Sequence, residues 1–292
     1  MGRLWANARR WMRHDPLIVG VIATVVTAGN TALLGLSLSL ELLMAAFAGA
    51  ALVYWADRVL GFSPEDEHAH PDRVVWVETY RRWLYVEGVS LAVMLVASLP
   101  RLTGRTIVVA AMCGGLAVVH VLPVLPGRRR MKAMGRGQAV TIALTWAVGS
   151  VLLPWVEAGA GMGSGSRVSG VTVGGVFLAQ TLIVYANVVV AGWTDRRGDM
   201  EAGVPVDGDR SGAEVRRRAV GATVIGGGFV LALGVAILPM TSAVSYAGGA
   251  FGLAVLLARL RPNNHLHHML WLDLAVALPG ALVLLLDIGS RM

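Results

Sequence analysis

Runs of about twenty apolar residues, separated by short polar stretches, follow one another along the whole chain. A helix of that length matches the hydrocarbon core of a bilayer, and its backbone satisfies its own hydrogen bonds there. The runs begin near Leu17, Leu40, Trp83, Thr106, Ala139, Val171, Ala219, Thr241 and Met269, which predicts nine membrane-spanning helices. The expected fold is therefore all-α: a polytopic helical bundle forming a single domain over residues 1–292. The longest connectors are Gly61 to Arg82, Pro126 to Arg136 and Thr194 to Arg218, and the Gly/Ser stretch Gly159 to Gly170 reads as a surface loop. The first run follows Arg3, Arg9, Arg10 and Arg13, as a signal peptide would. It is longer than a signal core and lacks a small-residue cleavage pattern, so it is read as the first span.

Composition agrees with this pattern. Of 292 residues 55% are hydrophobic and 15% charged, with a mean hydropathy of +0.64. The net charge of +7 does not indicate nucleic-acid binding, because the arginines sit in loops between spans rather than along a soluble face. Their distribution instead sets orientation. Assigning loops to alternate sides places 21 Lys and Arg residues on the N-terminal side and 4 on the other. The N-terminus is thus expected in the cytoplasm and the C-terminus outside. The single cysteine, Cys113, lies inside an apolar run, which excludes an internal disulfide and a cysteine zinc site.

Chemistry should gather at the cytoplasmic ends. After the sixth apolar run the chain reads Asn187-Val-Val-Val-Ala-Gly-Trp-Thr-Asp195-Arg-Arg-Gly-Asp199-Met-Glu-Ala-Gly203. If helix continues through it, Asp195 and Asp199 share a face, and two such carboxylates suit a hard cation such as Mg²⁺; the alternative is a solvated acidic-basic loop. Asp273, inside the last span, is costly unless it faces a cavity or a partner. Lys132, the only lysine, suits phosphate oxygens or serves as a positive-inside loop residue. His265, His267 and His268 read as interfacial. Asn30 is expected to hydrogen-bond a neighbouring helix, and Gly114, Gly115 and Gly226 to Gly228 to allow close packing.

The run Asp195 to Gly203 resembles the second aspartate-rich motif of the UbiA superfamily of membrane prenyltransferases, D-x-x-x-D followed by x-x-x-G. His120-Val-Leu-Pro123, Arg128-Arg-Arg-Met-Lys132 and Thr145-Trp146 are similar to that family's stretch of Tyr-x-x-Pro, a Leu-Lys pair and a Trp-bearing helix. Tyr54-Trp-Ala-Asp57-Arg58 resembles the tail of its first aspartate-rich motif and a pattern found in divergent bacterial members, which implies a bacterial inner membrane. The resemblance implies a bundle with a central cavity and transfer of an isoprenyl group from an isoprenyl diphosphate to an unidentified acceptor within the bilayer. It implies Mg²⁺ as cofactor, Asp57, Asp195 and Asp199 as metal-binding and catalytic residues, and Arg58, Lys132, Tyr54, Asn187 and Asp273 as substrate-binding residues.

The first motif departs from the family's N-D-x-x-D, since Val53, Tyr54, Asp57 and Gly61 stand at its carboxylate-bearing and adjacent places. The trio Glu65, Asp66 and Glu67 that follows has a different spacing. A catalytically altered relative that binds isoprenoid lipid or acts in assembly is the second reading. A transporter fits less well, because few charges lie at mid-span.

Overall fold

The structure is a computed structural model describing residues 11, 13–60, 71–122, 136–159, 168–201, 211–259 and 273–291, without the side chains at 136, 194–199, 201, 290 and 291. It is helical, with no strand among the described residues. The helices are α1 (Pro16–Leu33), α2 (Leu40–Val59), α3 (Pro71–Ser98), α4 (Gly104–Val121), α5 (Arg136–Ala147), α6 (Gly170–Glu201), α7 (Gly212–Ala236), α8 (Met240–Arg259) and α9 (Leu278–Arg291). The fifth continues through a π-helical turn, Val148–Leu152, into Leu153–Glu157. Among the described residues eight helical segments are long and apolar enough to cross a membrane, and Leu278–Gly289 is a shorter apolar helix. The chain is an integral membrane protein.

Local sequence explains the helix ends. Asp15 caps α1, its Oδ1 accepting from the Leu17 N–H at 2.8 Å, with proline following as the first helical residue. At the other end Gly35 takes φ +63°. There its N–H reaches the Ala32 carbonyl and the Leu36 N–H reaches that of Thr31, both at 3.0 Å, the paired bonds of a glycine C-terminal cap. Ser39 and Ser211 cap α2 and α7 in the same manner. In the fifth span Pro154 has no N–H to return to the preceding turn, and the helix widens just before it.

Burial pushes the Asp15 carboxyl above the usual range, against the pull of the Leu17 N–H and the Arg58 guanidinium. A raised folded-state value means that ionisation opposes folding, so stability falls as pH rises through the carboxyl range. Asp15→Asn keeps the cap without the charge and is expected to melt at or above wild type at neutral pH, the difference vanishing in acid. Asp15→Ala loses the cap at about 1 kcal/mol. Thermal unfolding in detergent at two pH values separates the three proteins.

Successive helices pack side by side, α5 through α9, and the ring closes where α9 meets α1, α1 meets α2, and α4 bridges α2 to the fifth span. Small residues make α9 fit. A Cβ on Gly29 would come within 2.2 Å of the Gly280 Cα, and one on Gly249 within 2.5 Å of the Pro279 Cα. Gly226 and Gly227 likewise meet α6 and α8 closely, whereas Gly228, Gly114 and Gly115 have nothing within 4 Å of the position a Cβ would take. For the last two the expectation fails because α4 lies at the thinly packed side of the ring, where half of its residues are exposed.

Two connectors are shorter than the apolar pattern suggests. Helix α3 begins at Pro71 rather than near Trp83, and its first turns are held by an aromatic cluster in which Trp76 meets Trp11 at 5.5 Å and Tyr80 at 5.6 Å between ring centroids. Its lipid-facing apolar residues begin only after those turns, so hydropathy alone places the start late. Helix α7 begins at Gly212 rather than Ala219, because the capping pair Ser211 and Glu214 starts it among polar residues.

Asn30 makes the expected contacts across the bundle. Its Nδ2 donates to the Ser150 Oγ at 3.3 Å and to the Gln180 Oε1 at 3.4 Å, and the Tyr246 hydroxyl donates to the same Gln180 oxygen at 3.0 Å. Cys113 is free and partly exposed.

Candidate functional site

Helix α6 has 32 residues and is about 48 Å long at 1.5 Å per residue, far more than the ~30 Å hydrocarbon core. Its continuation to Glu201 meets the condition set by the Asp195 and Asp199 spacing: the two positions are four residues apart on one unbroken helix and share a face, and Asn187 lies on the same helix two turns before Asp195. The side chains of Asp195 and Asp199 lie outside the described residues, as does the whole of Lys132, together with Glu65 to Glu67 and the three histidines from 265 to 268.

Inside the ring a small cleft, partly open to the outside, lies between α1, α2, α5, α6 and the helical turn that leads into α9. Three residues singled out in the sequence meet on its wall: Tyr54 from α2, Asn187 from α6 and Asp273. Trp146 of α5 joins them, with its indole N–H bonded to the Tyr54 hydroxyl. Below this polar side the wall is apolar, formed by Ile22 of α1, Val184 of α6 and Val276.

Asp57 and Arg58 stand beside the cleft at the end of α2. The Arg58 guanidinium donates to the His14 carbonyl and lies over the Tyr54 ring, 5.7 Å from its centroid. It sits within the fields of Asp57, Asp273 and Arg73, and Tyr54 feels both aspartates. Asp57, Arg58, Tyr54 and Asp273 thus form one charged group. As a basic residue in the last turn of α2, Arg58 also opposes the negative end of the helix dipole. Glu87 of α3 approaches this group from outside the ring, interacting with Asp15 and Arg58, with its Oε1 buried and without a hydrogen-bond partner. The sequence reading passed over Glu87, although an ionisable residue within a span is itself a signal.

Among the described residues no three His, Cys, Asp or Glu side chains form a metal site. The donor chemistry nevertheless suits Mg²⁺. The Asn187 Oδ1 is buried without a partner, and Asn187, 8% exposed, lines the same wall as the Asp273 carboxylate. Hard oxygens of this kind are the donors Mg²⁺ prefers, and Asn187 stands on the helix that carries Asp195 and Asp199.

The fold has counterparts among solved structures. A UbiA homolog from Archaeoglobus fulgidus bound to GPP and Mg²⁺ superposes with a TM-score of 0.60 at 10% identity, over 94% of this chain and 99% of that one. The same homolog bound to DMAPP and Mg²⁺ gives 0.57 at 10% identity over the same shares. A digeranylgeranylglyceryl phosphate synthase gives 0.54 at 10% identity, covering 97% of this chain and 98% of that one. No protein-family model and no curated protein sequence matches the chain. The chain therefore has the UbiA fold along nearly its whole length.

Proposed function

We propose that this protein is an intramembrane prenyltransferase of the UbiA superfamily, transferring an isoprenyl group from an isoprenyl diphosphate to an acceptor. The observation that carries the reading is the convergence of Tyr54, Asn187 and Asp273 on one cleft, with Arg58 and Asp57 beside it. The substrates bound by the UbiA homolog, GPP and DMAPP with Mg²⁺, support it. In the reaction the C1–O bond of the donor breaks and its electron pair leaves with the diphosphate. The acceptor forms a bond to C1 and gives up its proton, for which the Asp273 carboxylate is the base in the cleft.

Asp57, Asp195 and Asp199 would hold Mg²⁺, which when bound neutralises the departing polyanion, while Asn187, deeper along α6, would contact the substrate. Arg58 and Lys132 add fixed positive charge to that task, offsetting the carboxylates missing from the first motif. The apolar wall excludes water, which would otherwise capture the allylic cation. The experiment is equilibrium binding of an isoprenyl diphosphate to the purified protein with Mg²⁺ and with a chelator. Micromolar binding that the chelator abolishes is expected, and no binding in either condition sinks the reading. The reduced first motif favours one other reading, a relative that binds the isoprenoid without turning it over; Mg²⁺-dependent binding with no product in native membranes would select it.

The same reading makes the last turn before α9, together with Leu278–Gly289, the ninth crossing, with the N-terminus inside. Reporters fused after Gly135 should then be cytoplasmic and those near Gly163 external. Signals from the same side at both points contradict the arrangement.

A further inference from the structure

Resting on that reading, we infer that the Tyr54 hydroxyl donates a hydrogen bond directly to a diphosphate oxygen, and that Trp146, anchored by Ser150, is the positioning residue that aims it. Tyr54 stands on the wall of the cleft. An indole nitrogen can only donate, so the Trp146 N–H engages a lone pair of the Tyr54 oxygen and leaves the phenol its own proton to offer. The Arg58 guanidinium lies over the same ring, 5.7 Å from its centroid, and puts positive charge beside the donor. A fixed donor and a cation side by side are what an oxyanion gathering charge requires. The Asp57 and Asp273 carboxylates also act on this phenol, so a diphosphate is accepted here only together with the cation that offsets them. A neutral phenol stands where the first motif would carry a carboxylate, and its contact is therefore with the ligand itself rather than through a metal.

What aims the phenol lies in the fifth span. Trp146 comes just before the π-helical turn Val148–Leu152, where the regular backbone bonding of the helix changes step. The Ser150 Oγ, inside that turn, donates to the Trp146 carbonyl at 2.8 Å. Such a bond within one helix is common, but here the same Oγ also accepts from the Asn30 Nδ2 of α1 at 3.3 Å. Asn30 in turn donates to the Gln180 Oε1 of α6 at 3.4 Å, and that oxygen accepts from the Tyr246 hydroxyl of α8 at 3.0 Å. One serine thus ties the Trp146 backbone to three other helices, while the indole reaches across to α2. Ser150 is 2% exposed and Asn30 0%, so water does not compete for these bonds. A side chain held in this way keeps the narrow geometry that a donor to a reacting group needs.

The test is the affinity for a five-carbon isoprenyl diphosphate with Mg²⁺, measured for single and double variants alongside melting curves on the same preparations. Tyr54→Phe keeps the ring beneath Arg58 and removes only the hydroxyl, and it should weaken binding about tenfold. Ser150→Ala should weaken binding about threefold in the wild-type background and leave it unchanged in the Tyr54→Phe background, because both substitutions act through one hydroxyl. Unchanged affinity in Tyr54→Phe, whatever its melting temperature, would overturn the donor role while leaving the enzyme reading intact, since the phenol would then serve packing alone. The same loss from Ser150→Ala in both backgrounds would overturn the positioning role, because the serine would then act without Tyr54; so would no loss in either. Absence of binding by wild type would remove the enzyme reading and this inference together.

Discussion

Asp199→Asn is expected to cost a hundredfold or more in product formation with little change in folding. The substitution keeps the size of the side chain and removes its charge. Position 199 lies in the polar stretch of α6 that follows the apolar run. If Asp195 and Asp199 hold the cation that receives the diphosphate, losing one carboxylate removes several kcal/mol of charge stabilisation from the transition state. Asp57→Asn should be milder. Asp57 already shares its field with Arg58, so part of its role is to balance that guanidinium. Rates for the three proteins at saturating Mg²⁺ decide the matter, and equal rates for wild type and Asp199→Asn would remove Asp199 from the site.

Asn187→Leu should move stability and binding in opposite directions. The Asn187 Oδ1 is buried without a partner, an arrangement that costs about 1–3 kcal/mol in the unliganded protein. A leucine of similar volume relieves that cost and adds apolar contact with Val184 and Val188, so the variant is expected to melt several degrees higher. It should also bind an isoprenyl diphosphate at least tenfold more weakly, having lost the oxygen the ligand complex uses. A purely structural asparagine predicts the reverse on the first count, a fall in melting temperature. Melting curves and titrations on the same preparation distinguish the two.

Much of this arrangement was legible in the sequence because membrane helices announce themselves by length and polarity. Apolar runs located eight long helices among the described residues. The departures came where helices start among polar residues: α3 begins at Pro71 because aromatic stacking, not hydropathy, holds its first turns, and α7 begins with a capping box. At the site, Asp273 was legible because a carboxylate in a span is costly unless it faces a cavity or partner, whereas Tyr54 and Asn187 were legible through the resemblance of their stretches to the aspartate-rich motifs. That they come from three separate helices and meet at Trp146 is a property of ring closure, which no local pattern encodes. Glu87 and the Gln180 to Tyr246 bond escaped for the same reason, since their partners are distant in the chain. The glycines show the limit from the other side. Gly29 and Gly249 are indispensable to α9 while Gly114 and Gly115 are not, and composition does not tell them apart.

The most direct measurement is transfer of a radiolabelled five- or ten-carbon isoprenyl diphosphate into the lipid-soluble fraction of native membranes containing the protein, with Mg²⁺ and with a chelator. The account predicts label in a new lipid-soluble product that forms only with Mg²⁺ and is reduced at least a hundredfold in Asp199→Asn. Label that stays in the diphosphate with wild-type protein and Mg²⁺ present would contradict it.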